Sequence, residues 1–537
     1  MKMKRLLSTI LAGAVIAGVL AACAPAQPQQ TGQPAGNQAT APAAQPAGNQ
    51  ATTPAAPPPE VPLSRGLTMA GIAEPPTIAP ARHTTLVGHF MNVMQSNGLF
   101  RTEAGTMTPV PDLVREWTAI SDTVFEFTLH EGVLFHNGDE LTADDVIASM
   151  DYVRTTPDQR AVHTSAVSWE AVDRYTVRFD TGEPQALFFF DLAHHGNHIM
   201  PRSLIESGND FDTNPVGTGP FVFEEWRRGD SLSWRAFPDY FDAERSPTLE
   251  YVHWRIIPEG ASRTIALEAG EVDYLLDVPF PDIPRMESDP NLVIQSVPSS
   301  TFQYLILNND RFPFNNIHVR HAIDMALDRD AMLVASLDGY GLAIRGSVPS
   351  TLPGASTQNL RDFDPQGARD LLAEHGLDPA TLGFEMIVFD EMQRRRAEVA
   401  QANLMEIGIP TTISQIDFAT WGTLTQGDTF DASFANWTGL NLLSVMRSLL
   451  TIDFINLNNR SRFHNEEVSE MIETAMVTMD ENVRNALVYE ASVITNYYSP
   501  HLATNMGLII RAARTGLVAP ELGANGFMYK NMMYWTE

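Results

Sequence analysis

The chain has 537 residues, with 35 Lys and Arg against 65 Asp and Glu and a formal net charge of −30. That acid excess excludes a nucleic-acid binder, which needs clustered Lys and Arg to neutralise phosphate, and the length calls for three or four domains at about 150 residues each. Lys2, Lys4 and Lys530 are the only lysines and Cys23 the only cysteine, which leaves little room for a lysine Schiff base, a phosphate-binding loop, disulfides or cysteine-based zinc sites.

Lys2, Lys4 and Arg5 precede an uncharged apolar run from Leu6 to Val19, the layout of a secretory signal. The run is short for a spanning helix, which needs about 20 residues. It ends in Leu20, Ala21, Ala22 and Cys23, which resembles the bacterial lipobox. On that resemblance residues 1–22 are cleaved, Cys23 is lipidated, and acyl chains hold the protein on a membrane surface. Residues 23–60 then form a linker. Ala24 to Pro59 carries no charge, and QPAGNQATAPAA at Gln33 to Ala44 recurs as QPAGNQATTPAA at Gln45 to Ala56. A segment so poor in large apolar residues cannot offset its chain entropy and reads as a disordered tether. Loss of Lys2, Lys4 and Arg5 takes the net charge from −30 to −33.

The remainder reads as mixed α/β. Phe125, Phe127 and Leu129 alternate with Glu126 and Thr128, which predicts a half-buried strand, and Asn137-Gly138 predicts a turn. Thr142 and Asp145 form a capping-box start for a helix whose apolar positions are Val146, Ile147, Met150 and Val153. Strands are expected at Tyr175 to Thr181, Leu232 to Phe237 and Tyr251 to Ile257. A helix from about Ser262 to Gly270 is followed by a strand at Glu271 to Leu276. Beyond Thr301 strands and helices alternate. A strand at Phe302 to Leu307 is followed by helices around Val319 to Leu327 and Ala331 to Leu337, and by a helix bracketed by Asp364, Pro365 and Gly376. A strand at Glu385 to Phe389, a helix at Arg394 to Ile407 and a strand at Thr411 to Ile416 complete the pattern. Such alternation predicts a sheet covered by helices on both faces, with ligands at strand ends.

Catalytic signatures are missing: no G-x-S-x-G closes around Ser231 or Ser262, there is no H-E-x-x-H, and Gly217-Thr218-Gly219-Pro220 does not extend into a dinucleotide fingerprint. His194, His195 and His198 form a cluster whose i, i+4 pair, His194 and His198, would reach one metal on a helix, but Gly196 and Asn197 favour a solvated loop. Asp144 with Asp145 and Glu466 with Glu467 read as first-turn acids opposing a helix dipole. Arg394 to Arg396 read as the start of a solvated helix face.

Five segments carry a resemblance. They are Phe127 to Val146 (FTLHEGVLFHNGDELTADDV), Pro215 to Phe221 (PVGTGPF), Leu267 to Asp273 (LEAGEVD), Leu307 to Arg329 (LNN, then VRHAIDMALDR) and Phe363 to Gly376 (FDPQGARDLLAEHG). In order and spacing the chain resembles the family 5 extracellular solute-binding proteins, the peptide and nickel receptors of ABC importers. The resemblance implies an α/β, two-lobed periplasmic-binding-protein clamshell of type II, the large peptide-binding type, with three domains. Domain I would comprise residues 61–92, 212–300 and 506–537, domain II residues 93–211, and domain III residues 301–505. Hinge strands would flex near Ser300 to Phe302 and Thr504 to Met506.

The implied role is binding, with no enzymatic step, metal or cofactor. A monomer would capture a peptide-like solute between the lobes and deliver it to a permease and its ATPase subunit, at the outer face of the cytoplasmic membrane or in the periplasm. In peptide-binding relatives a tryptophan followed three residues later by an aspartate holds the peptide amine; here Trp437 is followed by Leu440. Either another acid such as Glu74 supplies that charge, or the solute is a nickel chelate, an opine or an oligosaccharide. A secreted hydrolase or chaperone on the same scaffold is the alternative of another class. Trp437, Asn436, Leu440, Asn441, Glu74, Phe302, Tyr304 and Trp421 are the expected ligand-binding positions, although alternation equally places Phe302 and Tyr304 in a sheet core.

Overall fold

A computed structural model describes residues 65–80, 82, 86–156, 165–439 and 441–536. The signal sequence, Cys23, the repeat linker and Leu440 lie outside the described residues. In the first half, β1 (Leu67–Gly71) leads to α1 (Leu86–Gln95). A small antiparallel sheet follows, built from β2 (Val114–Ala119), β3 (Val124–Leu129), β4 (Ser168–Ala171) and β5 (Thr176–Asp180) in the order β2-β3-β5-β4. As the alternation predicted, Phe125, Phe127 and Leu129 are buried; they pack with Phe179 and Phe188. Helix α2 (Ala143–Thr155) starts at Thr142, whose N–H and hydroxyl both donate to Asp145 at 2.8 and 2.9 Å.

The chain then returns to the sheet of β1 with β6 (Phe221–Arg227), β7 (Ser231–Ala236), β8 (Tyr251–Ile256), α3 (Gly260–Glu268) and β9 (Tyr274–Leu275). Helix α3 starts two residues before the expected Ser262 and is capped by Glu259, and β9 keeps only Tyr274 and Leu275 of the expected Glu271 to Leu276 strand. Gly270, at φ +74°, takes the left-handed turn after α3.

The expected strand Phe302 to Leu307 is the end of a much longer one, β10 (Leu292–Leu307). In the second half come α4 (Ile317–Ala326), α5 (Arg329–Leu337), β11 (Gly341–Ala343), α6 (Pro365–Glu374), β12 (Phe384–Val388), α7 (Glu391–Glu406), β13 (Thr411–Gln415), α8 (Phe418–Gln426), β14 (Ala432–Thr438), α9 (Leu442–Leu450), α10 (Glu466–Met476) and α11 (Glu481–Tyr498). The chain re-enters the first half along β15 (His501–Arg514).

These strands make one large sheet in the order β13-β12-β14-β10-β15-β9-β1-β8-β7-β6, with β11 added on β15. Strands β10 and β15 therefore belong to both halves. Their antiparallel pairing is interrupted between Pro298 and Phe302 and again between Gln303 and Tyr304. Both interruptions fall in the segments expected to flex.

Both faces of the second half are covered. Val319, Ile323, Met332, Leu372, Ala400 and Leu404 from α4 to α7 pack beneath one face with Leu305 and Leu307. Helices α9, α10 and α11 cover the other, where Phe302, Tyr304, Ile306 and Trp421 lie. Two expectations are corrected here. Arg396 is not part of a solvated face: its side chain is 1% exposed, because its position on α7 falls on the same inward side as Ala397 and Ala400, while Arg394 and Arg395 pair with Glu398 and Glu391 at the surface. Nor is the histidine segment solvated. His195 and His198 are buried, the turn that carries them packing against α1 and α2, and His198 Nδ1 lies 2.9 Å from Ser96 Oγ.

Burial holds His198 and His501 at a pKa of about 4, well below the usual histidine value. Both rings sit in packed surroundings that disfavour the charged form. The folded protein therefore resists protonation that the unfolded chain accepts, so stability is full above about pH 6.5 and falls as the pH drops toward 4. At about 1.4 kcal/mol per unit, the pair costs up to roughly 6 kcal/mol at the acid end. Burial acts in the opposite sense on Asp191, whose carboxyl is pushed up to about 6, and relieves part of that loss below pH 6. The urea midpoint should fall steeply between pH 6.5 and 4, and His198→Gln with His501→Gln should flatten the fall.

Candidate functional site

Parallel strands leave their carboxyl ends open to ligand, above all where successive crossovers go to opposite sides of the sheet. In the second half β12 pairs in parallel with both β13 and β14. Helix α7 covers one face after β12, and α8 contributes to the other after β13. The crevice between β12 and β14 is thus a switch point, bordered by Phe389 and Asp390 on one side and by Asn436, Trp437 and Thr438 on the other.

An aromatic group stands at this edge. Phe389, just after β12, meets Trp421 and Phe418 of α8 at ring distances of 4.8 and 5.0 Å, and Phe418 stacks on Trp421 at 5.6 Å and 15°. The three differ sharply in exposure: Trp421 is 6% exposed and Phe418 65%. Asp417 fixes the start of α8 by accepting the Thr420 N–H at 3.0 Å, which holds Phe418 in the first turn. Trp421 is locked from beneath, its Nε1–H donating to Ser433 Oγ at 2.7 Å. The Arg460 guanidinium lies 4.3 Å from the Trp421 ring, and burial lowers its pKa.

The expected binding positions divide by environment. Phe302 and Tyr304 are buried side by side in the core over α9, and burial pushes the Tyr304 hydroxyl up. Trp437 lies opposite Phe302 on β14, half-buried against the same core, whereas Asn436 is exposed. Asn441 is the N-cap of α9 and accepts the Ser444 N–H at 2.8 Å. Glu74 follows β1 on the other half of the sheet. Its Oε2 accepts the Trp226 Nε1–H at 3.1 Å and the Gly229 N–H at 3.0 Å, so the carboxylate already anchors the β6–β7 turn. Trp421, Trp437 and Asn436 therefore share one edge, while Glu74 stands on another.

Phe389 and Phe418 escaped sequence reasoning. Phe389 ends an apolar strand and Phe418 opens a helix, positions at which a phenylalanine ordinarily packs inward. Only the pairing of β12 with β13 shows that both stand at carboxyl ends of neighbouring parallel strands. Among the described residues there is no group of three or more His, Cys, Asp or Glu placed to hold a metal ion, and no helix long and apolar enough to cross a membrane.

Comparison with known proteins agrees with this architecture. Residues 108–446 match the family described as bacterial extracellular solute-binding proteins, family 5 middle. The dipeptide-binding protein of Escherichia coli (strain K12) is 26% identical over 481 residues, covering 80% of this chain and 88% of that protein. Heme-binding protein A of Haemophilus influenzae is 27% identical over 476 residues, covering 80% and 85%. The solved structure of HbpA2 from Haemophilus parasuis superposes with a TM-score of 0.81 at 23% identity, over 88% of this chain and all of that one, and shares its two-lobed clamshell fold.

Proposed function

Because the chain belongs to the bacterial extracellular solute-binding proteins of family 5, we propose that it captures a peptide-like solute between its lobes and hands it to the permease and ATPase of an ABC importer. In this reading Cys23 carries the lipid that keeps the receptor at the outer face of the cytoplasmic membrane or in the periplasm.

The observation that carries the reading is the aromatic step at the ends of β12 and β13. A ring 65% exposed, stacked on one 6% exposed and hydrogen-bonded to the sheet, gives a rigid apolar surface with nothing yet covering its outer part. Capture works as hinge closure. The register interruptions of β10 and β15 are where the shared strands yield, and closure follows only if the solute binds the closed form more tightly than the open one. Arg460, over Trp421, supports a solute with an anionic end.

The name of the similar dipeptide-binding protein favours a peptide over the other solutes. A non-peptide solute is the second reading: the similar heme-binding protein A shows that relatives of comparable identity are named for other ligands, and Leu440 stands where an amine-holding aspartate is expected. Native mass spectrometry of the purified full-length protein, followed by release and identification of its ligand, tests both. A bound peptide recovered intact supports the first reading, a nickel chelate, opine, oligosaccharide or porphyrin the second, and a ligand that is chemically turned over defeats both. For the solute so identified, Phe418→Ala should weaken binding about tenfold, as expected for loss of a half-covered aromatic contact worth roughly 1.4 kcal/mol, with little change in stability.

A further inference from the structure

Two register interruptions isolate a short island of pairing between β10 and β15, containing Phe302 opposite Met506 and Gln303 opposite Asn505. Thr504 is the extra residue on one side of it, and its hydroxyl donates to the Gln303 carbonyl at 3.1 Å. On the other flank of β10, Gln303 is in register with Asn436 of β14. Cross-strand neighbours point to the same face, so Asn436, Gln303 and Asn505 form a row of three amide side chains across three adjacent strands. Their face is the one that carries Leu305, Leu307 and Phe434, opposite to Phe302 and Tyr304.

The row is graded in exposure. Asn436 is exposed, Gln303 half-buried and Asn505 fully buried. Neither the Nδ2 nor the Oδ1 of Asn505 has a hydrogen-bond partner among the described residues. An orphaned buried donor or acceptor costs about 1–3 kcal/mol, and a primary amide that loses both bears that cost twice. The neighbouring hydroxyls are already paired, Thr301 with Thr438 at 2.7 Å. A fully buried Asn with both amide atoms unpaired points to a partner from outside the chain.

We infer that Asn505, with Gln303 and Asn436, binds the backbone of one residue of the solute, whose N–H and C=O, from the two peptide groups flanking its Cα, supply the acceptor and donor partners that the Asn505 amide lacks. The inference rests on the peptide-like reading above and names the part of the solute that is recognised. The chemistry excludes the ionic ends of a ligand, because none of the three side chains is charged and an ammonium or carboxylate there would be buried without a counter-ion. The N–H and C=O of one extended residue point to the same side and answer both atoms at once, as Asn and Gln do when they pair with a donor and an acceptor side by side. Access follows from the position: the island lies where the two lobes share their strands, so opening there brings solvent and solute to a row that closure buries.

The test uses the purified full-length protein and a library of tripeptides with free termini, each paired with a depsipeptide in which one amide is replaced by an ester that lacks the N–H. Affinities are read by calorimetry for wild type, Asn505→Leu and Gln303→Leu. In wild type the ester at one peptide position should weaken binding about tenfold, and in Asn505→Leu the peptide should bind about tenfold more weakly with the ester penalty gone. The urea midpoint of Asn505→Leu should be unchanged or raised, since the variant removes an orphaned group. An ester penalty of the same size in wild type and Asn505→Leu overturns the amide row while leaving peptide capture intact. Failure of every tripeptide to bind wild type overturns peptide capture and the row together.

Discussion

Gly219→Ala should cost at least about 3 kcal/mol in stability, and loss of the folded state at 37 °C is the expected extreme. A Cβ at this position would lie 2.4 Å from both Gln95 C and Ser96 N, and 2.6 Å from Met94 O. All three are backbone atoms of α1 or its end, so no side-chain rotation relieves the overlap, which places the change at the severe end of overpacking. Gly217 is as tightly held, 2.3 Å from Gln95 O. The contact is an organised one. The Gly219 N–H donates to Gln95 O at 3.2 Å, the Gly217 carbonyl accepts the His136 N–H at 2.9 Å, and the Thr218 hydroxyl donates to Asn97 at 3.0 Å. The tripeptide thus lays its backbone on the end of α1 and leads into β6 of the large sheet. Gly422→Ala is the matched control: its Cβ would meet nothing within 4 Å inside α8, so helix propensity predicts a gain of up to about 1 kcal/mol. Urea denaturation followed by circular dichroism checks both signs.

Much of the fold was legible because some of its devices are local. The capping box at Thr142 and Asp145 and the Asp364-Pro365 helix start have a chemistry that is complete within a few residues, and both appear where they were read. Failures came where burial is decided by distant chain. Arg396 follows two solvated arginines and no neighbour in sequence marks it as inward; α7 lying along the sheet does. The buried histidines look like a polar turn until α1 and α2 pack against them. β10 was read as six residues because its first ten mix Ser, Gln and Pro with apolar residues, and only pairing with β15 keeps them extended. The candidate site divides similarly. Trp437, Trp421 and Asn436 came from resemblance, whereas Phe389, Phe418 and the orphaned Asn505 are visible only once strand order and register are known.

Arg329→Met should destabilise the protein by about 3–5 kcal/mol, the range for removing one partner of a buried ion pair. Arg329 and Asp324 pair with side chains 3% and 2% exposed. Arg329 is also a tie between elements, donating to the Asp324 carbonyl at 3.1 Å and, through Nε, to the Ala503 carbonyl of β15 at 2.9 Å. Its loss leaves Asp324 with Arg361 at 3.6 Å and the Ser499 hydroxyl at 3.4 Å, neither close enough to replace the lost contact. Removing both charges together, as Asp324→Asn with Arg329→Met, should recover more than half of the loss, because the main cost is the stranded carboxylate and not the missing attraction. A double variant as unstable as the sum of the singles defeats that account. The pair also bears on closure, since Ala503 precedes the interruption at Thr504 by one residue. Arg329 clamps β15 to α4 and α5 beside that interruption. On the proposed reading, in which a solute binds at the edge of β12 and β14 and the lobes close at this interruption, Arg329→Met loosens the second lobe at the strand both lobes share.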